Sequence, residues 1–464
     1  MAMKKLKIKF LQTIDGRKLW PGKIAMRASL AVGIILLLSA LVFVFLPQVY
    51  LNGLLESRFI DAFQKAYPEY SLKIAGLNFN ALRNRLDCDS ISLTKVDATF
   101  SCRTGAFSVD GINWIKLYRE KTISTDIIAN AALNAQDVVI SSEQSQNEIR
   151  CGRLHLSIPD SEIVADALEF HPSITDDQFF EESRFRNTRF RFVVPEMSVN
   201  GLVYSGLLYG NNFRARSIDI RDAFVDILVN MDKPWDTKVP SPLMPDESLS
   251  SMKDTIRVDS LQIVNGRLNY NERYVVGAAA ATVTFDKMQA LAVGIVNHTG
   301  RSDTIVIRAQ GRFMDAAIMK LLMSIPLGPP QLSFSYSGSV GEMQVNSLNG
   351  FLETAERHRI KSGILHGATF AVNVNSGRAT GYVRAEYSDL SIAVLDKYTG
   401  SEKGIADRIS SLIGKWFVIR GTNMPDKKGS MKIGVVKFTR KSDEPFIQFA
   451  WFALRSGVGN TVGF

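Results

Sequence analysis

The amino-acid sequence predicts a mainly β protein, built from an antiparallel sheet with a few short helices and one N-terminal transmembrane helix. Three observations predict this fold. A stretch without charged residues lies near the N-terminus, at residues 28–46. From Tyr70 onward, apolar residues recur at every second position, which is the period of a β-strand with one buried face. Segments that resemble a strand, a turn and a returning strand also recur along the chain.

The apolar stretch at residues 28–46 reads ASLAVGIILLLSALVFVFL. At about 1.5 Å per residue a helix of this length covers roughly 28 Å, close to the thickness of a bilayer core. A cleaved signal peptide is the alternative, but the run exceeds the usual length and no small-residue cleavage site follows Pro47. The predicted membrane anchor includes Leu36, Leu37, Leu38, Val42, Phe43 and Phe45.

The basic leader, residues 1–27, sets the expected orientation. It contains eight Lys and Arg residues and one acid, Asp15. By the positive-inside rule the leader stays in the cytoplasm and the bulk of the chain is exported. The whole chain carries a net charge of +9, of which the leader supplies +7. The remaining residues are therefore nearly neutral, and the high pI does not indicate a nucleic-acid partner.

Beyond the predicted span, the chain divides into four parts. Residues 47–69 contain an amphipathic helix at about Leu51 to Ala66, which we expect to cover the first edge of the sheet. Residues 70–231 form the N-terminal part of the β body, and residues 255–464 form its C-terminal part. A loop rich in Pro and Ser, residues 232–254, lies between them and is a candidate joint.

Three segments with a common outline are interpreted as hairpins in a β-meander. They are Ser90 to Phe100, Ser217 to Ile227 and Ser260 to Tyr270. Two helices are expected to cover parts of the sheet, at Arg312 to Met323 and Lys403 to Trp416, because their apolar residues follow a helical stripe. Cys88 and Cys102 have the same parity on the first hairpin. They are either bonded across it or buried as free thiols.

The sequence offers no candidate active site, and we expect no enzyme activity, cofactor or metal. It contains no phosphate-binding loop, nucleophile elbow or metal-binding pair of cysteines. The histidines are scattered along the chain, so a metal site is not expected. They are His155, His171, His298, His358 and His366.

Several segments resemble the AsmA-like envelope proteins, including their DUF748-type relatives. The basic leader, the single span and the short amphipathic helix, followed by YSLKIAGL at residues 70–77, resemble the opening of that family. In the later half, the order IKSGIL at 360–365, FAVNV at 370–374, GRATGYV at 377–383 and YSDLSI at 387–392 is similar to its recurring order of strands. The ending FAWFALRSG at 449–457 is similar to its closing segment.

This resemblance implies a single-pass protein of the bacterial inner membrane with a cytoplasmic N-terminus. It also implies that the periplasmic β body is an elongated, curled antiparallel sheet shaped like a groove, which binds or transfers lipid and supports outer-membrane biogenesis. The implied partners are the membrane, a phospholipid or other acyl lipid, and envelope proteins. The alternative function is a scaffold that docks envelope proteins without carrying lipid. The alternation permits either an apolar groove or a conventional packed core. The candidate groove residues are Val283, Phe285, Phe334, Tyr336, Phe370, Val372 and Val374. The closing segment, Phe449 to Leu454, is expected to meet the last edge of the sheet or a membrane.

Overall fold

The computed structural model describes residues 60–463. The description omits residues 62, 66, 81–82, 114–115, 117–118, 120–123, 182, 210–211, 237, 239–240, 298–302, 329–331 and 397–419. The chain is mainly β, as predicted, with a few short helices. The 21 strands among the described residues join into one mixed sheet.

The strands fall into three groups along the chain. The first group is β1 (Tyr70–Ala75), β2 (Asn78–Asn80), β3 (Arg85–Cys88), β4 (Ser90–Lys95), β5 (Phe100–Thr104), β6 (Phe107–Asp110), β7 (Ala132–Ser142), β8 (Asn147–Ser157) and β9 (Glu162–Pro172). The second is β10 (Thr188–Asn200), β11 (Asn212–Arg221), β12 (Phe224–Asn230), β13 (Thr255–Arg273), β14 (Ala281–Val296) and β15 (Thr304–Phe313). The third is β16 (Ala317–Pro326), β17 (Phe334–Val340), β18 (Met343–Gln344), β19 (His358–Asn375), β20 (Arg378–Val394) and β21 (Gly434–Thr439).

Five helices with fully described bounds accompany the sheet. They are α1 (Asp176–Glu181), α2 (Tyr204–Tyr209), α3 (Pro245–Ser250), α4 (Asn349–Ala355) and α5 (Phe446–Val462), and a 3-10 turn at Val345–Leu348 precedes α4. Only α5 has more than two turns. It begins after Pro445, whose extended backbone suits a helix start, and ends at Gly463 in a left-handed conformation.

The sheet is not wholly antiparallel, so the prediction is wrong in one place. Strands β11 and β12 both run parallel to β13, whereas every other neighbouring pair is antiparallel in the described part of the chain. The reason is the connection at residues 231–254, which carries α3. It returns the chain from the end of β12 to the start of β11, where Thr255 lies opposite Asn212. The loop flagged in the sequence is therefore the crossover between two parallel strands.

Of the three predicted hairpins, only the first is confirmed. Ser90 to Phe100 folds as β4, a turn and β5, which pair in antiparallel fashion. The other two segments lie within continuous strand paths. Ser217 to Ile227 is β11 continued by β12, since both halves pair with β10 and with β13. Ser260 to Tyr270 lies inside β13. Asp222 and Asn265 adopt φ values of 53° and 56°, and a left-handed residue suits a bulge as well as a turn.

These two irregularities belong to a line of irregular residues across the sheet, and we call this line the bulge row. It crosses ten strand paths, where a path is one long strand or two consecutive strands that continue each other, such as β11 and β12. At this level each path has one residue outside the regular alternation. The bulge row comprises Gly76, Asp89, Gly105, Asp137, Gly152, Ala167, Pro195, Asp222, Asn265 and Lys287. Neighbouring members interact directly, as where Asn265 Nδ2 donates to Asp222 Oδ1 at 2.5 Å.

The bulge row keeps the apolar side chains on one face. In β7, the buried residues Leu133 and Ala135 precede Asp137, and the buried residues Val138 and Ile140 follow it. The buried positions thus change from odd to even numbers at the extra residue. Because side chains alternate along a strand, this change preserves the buried face on both sides of the row.

The predicted helix at Arg312 to Met323 is wrong. The segment is the hairpin of β15 and β16, with a turn in which Met314 and Asp315 have φ values of 52° and 51°. The apolar residues AIMKLLM fit a helical stripe because both faces of β16 carry large side chains. Ile318 and Leu322 are exposed on one face, while Met323 is buried on the other. Strand pairing with β15 and β17 decides the outcome.

Other predicted segments lie outside the described residues. They include the leader, the span at residues 28–46 with its anchor side chains, and the helix at Lys403 to Trp416. No helix among the described residues is long and apolar enough to cross a membrane. Within the predicted helix at Leu51 to Ala66, residues 60, 61 and 63–65 are helical. Phe63 packs against the N-terminal core.

The cysteines are buried free thiols, which settles the alternative left open by the sequence. Cys102 lies opposite Leu93 and Cys88 lies opposite Phe107, so the two thiols are not cross-strand partners. Burial raises the pKa of the Cys102 thiol to about 12. It also raises the pKa of Cys151 to about 11.

Candidate functional site

One face of the sheet is apolar across its whole width, and we call it the apolar face. Directly opposed residues on neighbouring strands point to the same side, so the pairing register identifies its members. One line of partners follows it from first strand to last: Phe79, Leu86, Val109, Leu133, Leu156, Ile163, Val199, Ile218, Leu261, Ala292, Ile307, Met323, Tyr336, Val372, Gly381 and Val436. Every position is apolar or glycine.

Two parts of the apolar face are closed into hydrophobic cores. The N-terminal section lies under β1 to β10 and the start of β11, and it is filled by side chains such as Leu86, Leu133 and Phe170, which are buried. The C-terminal section lies on β15 to β21 and is buried against α5. Each section therefore has an interior of its own at one end of the sheet.

Between them lies a third part, which we call the middle section. Its members on β11 to β14 are half-buried and belong to neither core. They are Ile220, Val225, Leu261, Ile263, Leu268, Val283 and Phe285. The ring of Phe285 lies 5.3 Å from that of Phe313 on β15. This apolar surface thus connects the two cores without belonging to either.

The candidate groove residues divide between these sections. Val283 and Phe285 lie in the middle section. Five others cluster in the C-terminal core, with exposed fractions of 5% or less: Phe334, Tyr336, Phe370, Val372 and Val374. The sequence permitted either an open groove or a packed core. For these five residues, the structure shows a packed core.

Helix α5 is what covers them. The Phe334 ring lies 5.0 Å from Phe446 and 6.0 Å from Phe449. The Tyr336 hydroxyl donates to the Ala450 carbonyl at 2.7 Å. Ala453 is fully buried, so the helix lies closely on the sheet. The sequence signal for this helix was its spacing of apolar residues at 446, 449, 450, 453 and 457.

The same helix protects the last edge of the sheet, as expected for the closing segment. Within the described residues, strand β21 pairs only with β20, so its outer N–H groups need other acceptors. Asn460 Oδ1 accepts from the Val435 N–H at 3.0 Å, and Ser456 Oγ accepts from the Lys437 N–H at 3.3 Å. Two helical side chains thus replace part of a further strand.

Polar side chains lie at one end of the middle section. Glu272 is buried and accepts the hydroxyls of Tyr270 and Tyr274 at 2.9 and 2.6 Å. Burial and the nearby Glu272 carboxylate raise the pKa of Tyr270. Beside it, Arg273 donates to Asp177 at 3.0 Å and lies 4.6 Å from the Phe180 ring centre. The contacts of Arg273 with Asp177 and Phe180 brace α1 against the strands.

No arrangement of catalytic or metal-binding side chains was found in the described ranges. No group of three or more His, Cys, Asp or Glu residues there is placed to hold a metal ion. The described histidines lie far apart in the fold and contact local acceptors; His155 faces Asn134 and His366 faces Ser388. His298 lies outside the described residues.

A shallow hollow of 480 Å³ lies against β13 to β17. Its longer lining side chains include Gln262, Arg308, Lys320 and Leu322, and the register places all four on the face opposite the apolar one. Ile263 of the middle section also lines the hollow, so the hollow and the middle section share this residue.

The sequence matches no known family model, and a search of curated proteins found no match.

Proposed function

We propose that the protein binds an acyl lipid, such as a phospholipid, on the middle section of the apolar face. In this proposal residues 28–46 anchor the chain in a bacterial inner membrane, the β body lies in the periplasm, and lipid binding or transfer supports outer-membrane biogenesis. The observation that carries the proposal is the continuity of the apolar face. It runs from one closed core to the other through a stretch that neither core incorporates.

The physical argument rests on burial. Apolar side chains that remain partly in contact with water gain free energy when an apolar ligand covers them. Each CH₂ group of an acyl chain removed from water contributes about 0.8 kcal/mol. The curled, groove-shaped sheet that the family resemblance implies would let an acyl chain contact several strands at once.

The test is mass spectrometry of lipid that remains bound to the full-length protein after detergent extraction. We expect the parent to carry acyl lipid. Ile263→Asp places a carboxylate on the half-buried middle section, where it can stay hydrated, so it should abolish lipid binding while the melting temperature stays near that of the parent.

Gln262→Asp is the matched control, because Gln262 is the adjacent residue on the opposite, exposed face. It should retain the lipid. A parent without lipid, or an Ile263→Asp variant that keeps its lipid and its stability, contradicts the proposal. A stoichiometric protein partner without lipid would instead favour the scaffold.

A further inference from the structure

Exposed apolar side chains concentrate at the last edge of the sheet. Sixteen large hydrophobic residues are exposed among the described residues, and six of them lie in residues 420–463. They are Met424, Ile433, Val435, Ile447, Trp451 and Val458. This segment makes up about an eighth of the described residues, so exposed apolar surface is enriched there, as at interaction sites.

These side chains lie on both sides of the sheet edge. Val435, 59% exposed, lies opposite Tyr382, 47% exposed, on the face away from α5. On α5, Ile447, Trp451 and Val458 are spaced by four and seven residues and form one stripe. Phe449 and Ala453 face the sheet, so this stripe points away from it on the opposite side.

The edge is also basic. Residues 420–463 contain eight Lys and Arg residues against three acids, Asp426, Asp443 and Glu444, a net charge of +5. The whole chain carries +9 and the leader +7, so residues 28–419 carry a net charge of −3. The positive charge of the β body is thus concentrated where its apolar side chains are exposed.

We propose that this edge, residues 420–463, docks on the surface of an anionic phospholipid bilayer. A folded protein presents one surface and would cover one side of the edge, whereas a bilayer interface is fluid and can surround both sides. Trp residues favour that interface, and lysines are drawn to anionic headgroups. The proposal goes beyond lipid binding on the middle section and does not depend on it.

The experiment holds the full-length protein in neutral phosphatidylcholine nanodiscs and measures its capture by vesicles. We expect capture by vesicles with about 30% phosphatidylglycerol and little capture by pure phosphatidylcholine vesicles. Because headgroup attraction is screened by salt, capture should fall as the ionic strength rises from about 0.1 M to about 1 M.

Two single variants probe the two sides. Trp451→Ser and Val435→Ser should each weaken capture by about threefold or more, and the double variant by about tenfold or more. The control is the double variant Ile318→Ser with Leu322→Ser, which removes two exposed apolar side chains from β16, away from this edge. It should be captured like the parent.

The proposal is overturned if the edge variants, with parental melting temperatures, are captured like the control, or if anionic and neutral vesicles are captured equally. The proposal is also overturned if only one of the two single variants weakens capture by vesicles. Contact on one side of the edge would indicate a folded protein partner and not a bilayer. Bound lipid measured on the same variants should stay at the parental level, so failure here is distinguishable from failure of the proposed lipid site.

Discussion

The C-terminal and middle sections share one apolar face and differ in what lies over it. In the C-terminal section Val372 is 1% exposed, because α5 packs across β17, β19, β20 and β21. In the middle section, Ile263 occupies the same face and remains half-buried. Both residues lie on long strands with the same alternation. The strand pattern alone therefore does not decide between a core and a groove; a covering element does.

The strongest test of this comparison removes the cover. Deleting residues 446–464 would expose the C-terminal core and leave the N–H groups of Val435 and Lys437 without acceptors. We expect aggregation or a loss of most of the stability of this section, measured by urea unfolding and light scattering.

A double variant, Ser456→Ala with Asn460→Ala, separates covering from edge protection. It keeps the helix and removes only the two acceptors, at a cost of about 1 kcal/mol for each hydrogen bond. If the deletion is no more damaging than this double variant, the cover is not what closes the C-terminal section.

A buried charge tests the same comparison at single residues. Val372→Asp places a carboxylate under α5, and we expect a loss of roughly 3 kcal/mol or more in the free energy of unfolding. Ile263→Asp should cost much less, because its carboxylate stays hydrated. Equal destabilisation of the two variants would show that the middle section is as closed as the C-terminal one.

A smaller effect is expected from the fit of α5 on the sheet. A Cβ added at Gly457 would lie 2.7 Å from methyl carbons of Val383 and Val436. Gly457→Ala should therefore lower the free energy of unfolding by about 1 to 3 kcal/mol. The control is Gly350→Ala in α4, where a Cβ meets nothing within 4 Å. It should be neutral or stabilising by up to about 1 kcal/mol, since alanine favours a helix. A harmless Gly457→Ala would mean that α5 is held loosely.

The variant with the smallest expected effect on stability tests exposure of the middle section through the reactivity of an introduced thiol. At pH 8 the native thiols of the N-terminal section should not react, since they are buried and the pKa of Cys102 is about 12. A cysteine introduced by Ile263→Cys should react in the native state. All three native thiols should titrate in denaturant, and fewer would contradict the absence of a disulfide.

Burial of Cys102 also gives a pH dependence. Its pKa is raised from an ordinary 9.0 to about 12, so the unfolded chain loses this proton first as the pH rises. The contribution of Cys102 to stability is therefore intact below pH 9 and declines as the pH rises from 9 towards 12. Cys102→Ala should remove that decline, which urea unfolding at several pH values would show.

The sequence predicted strands well where one face alone is apolar. Phe370, Val372 and Val374 alternate with polar or small residues, and β19 contains all three. The predicted helix at Arg312 to Met323 is wrong because β16 is apolar on both faces. Its sequence therefore fits the period of a helix and the period of a strand equally well. Only the pairing of β16 with its neighbours distinguishes them, and pairing is a property of the whole sheet.

The candidate site was predicted in part for a related reason. Alternation identifies which side chains share a face, and Val283, Phe285 and Phe334 do share one. It does not identify what packs on that face, because α5 follows β19 by some 70 residues in the chain. The two mistaken hairpins have a local cause, since Asp or Asn in a left-handed conformation fits a tight turn and a bulge alike.

The bulge row has a consequence for how this chain can change in length. Removing Asp137 alone would shift the alternation of buried and exposed side chains in one half of β7 by one residue. Polar side chains would then face the core where Val138 and Ile140 now lie. Restoring the phase would require that neighbouring strands lose their matching residues as well. Insertions and deletions can therefore occur one at a time in the turns at strand ends, while the interior of the sheet can change length only in concert.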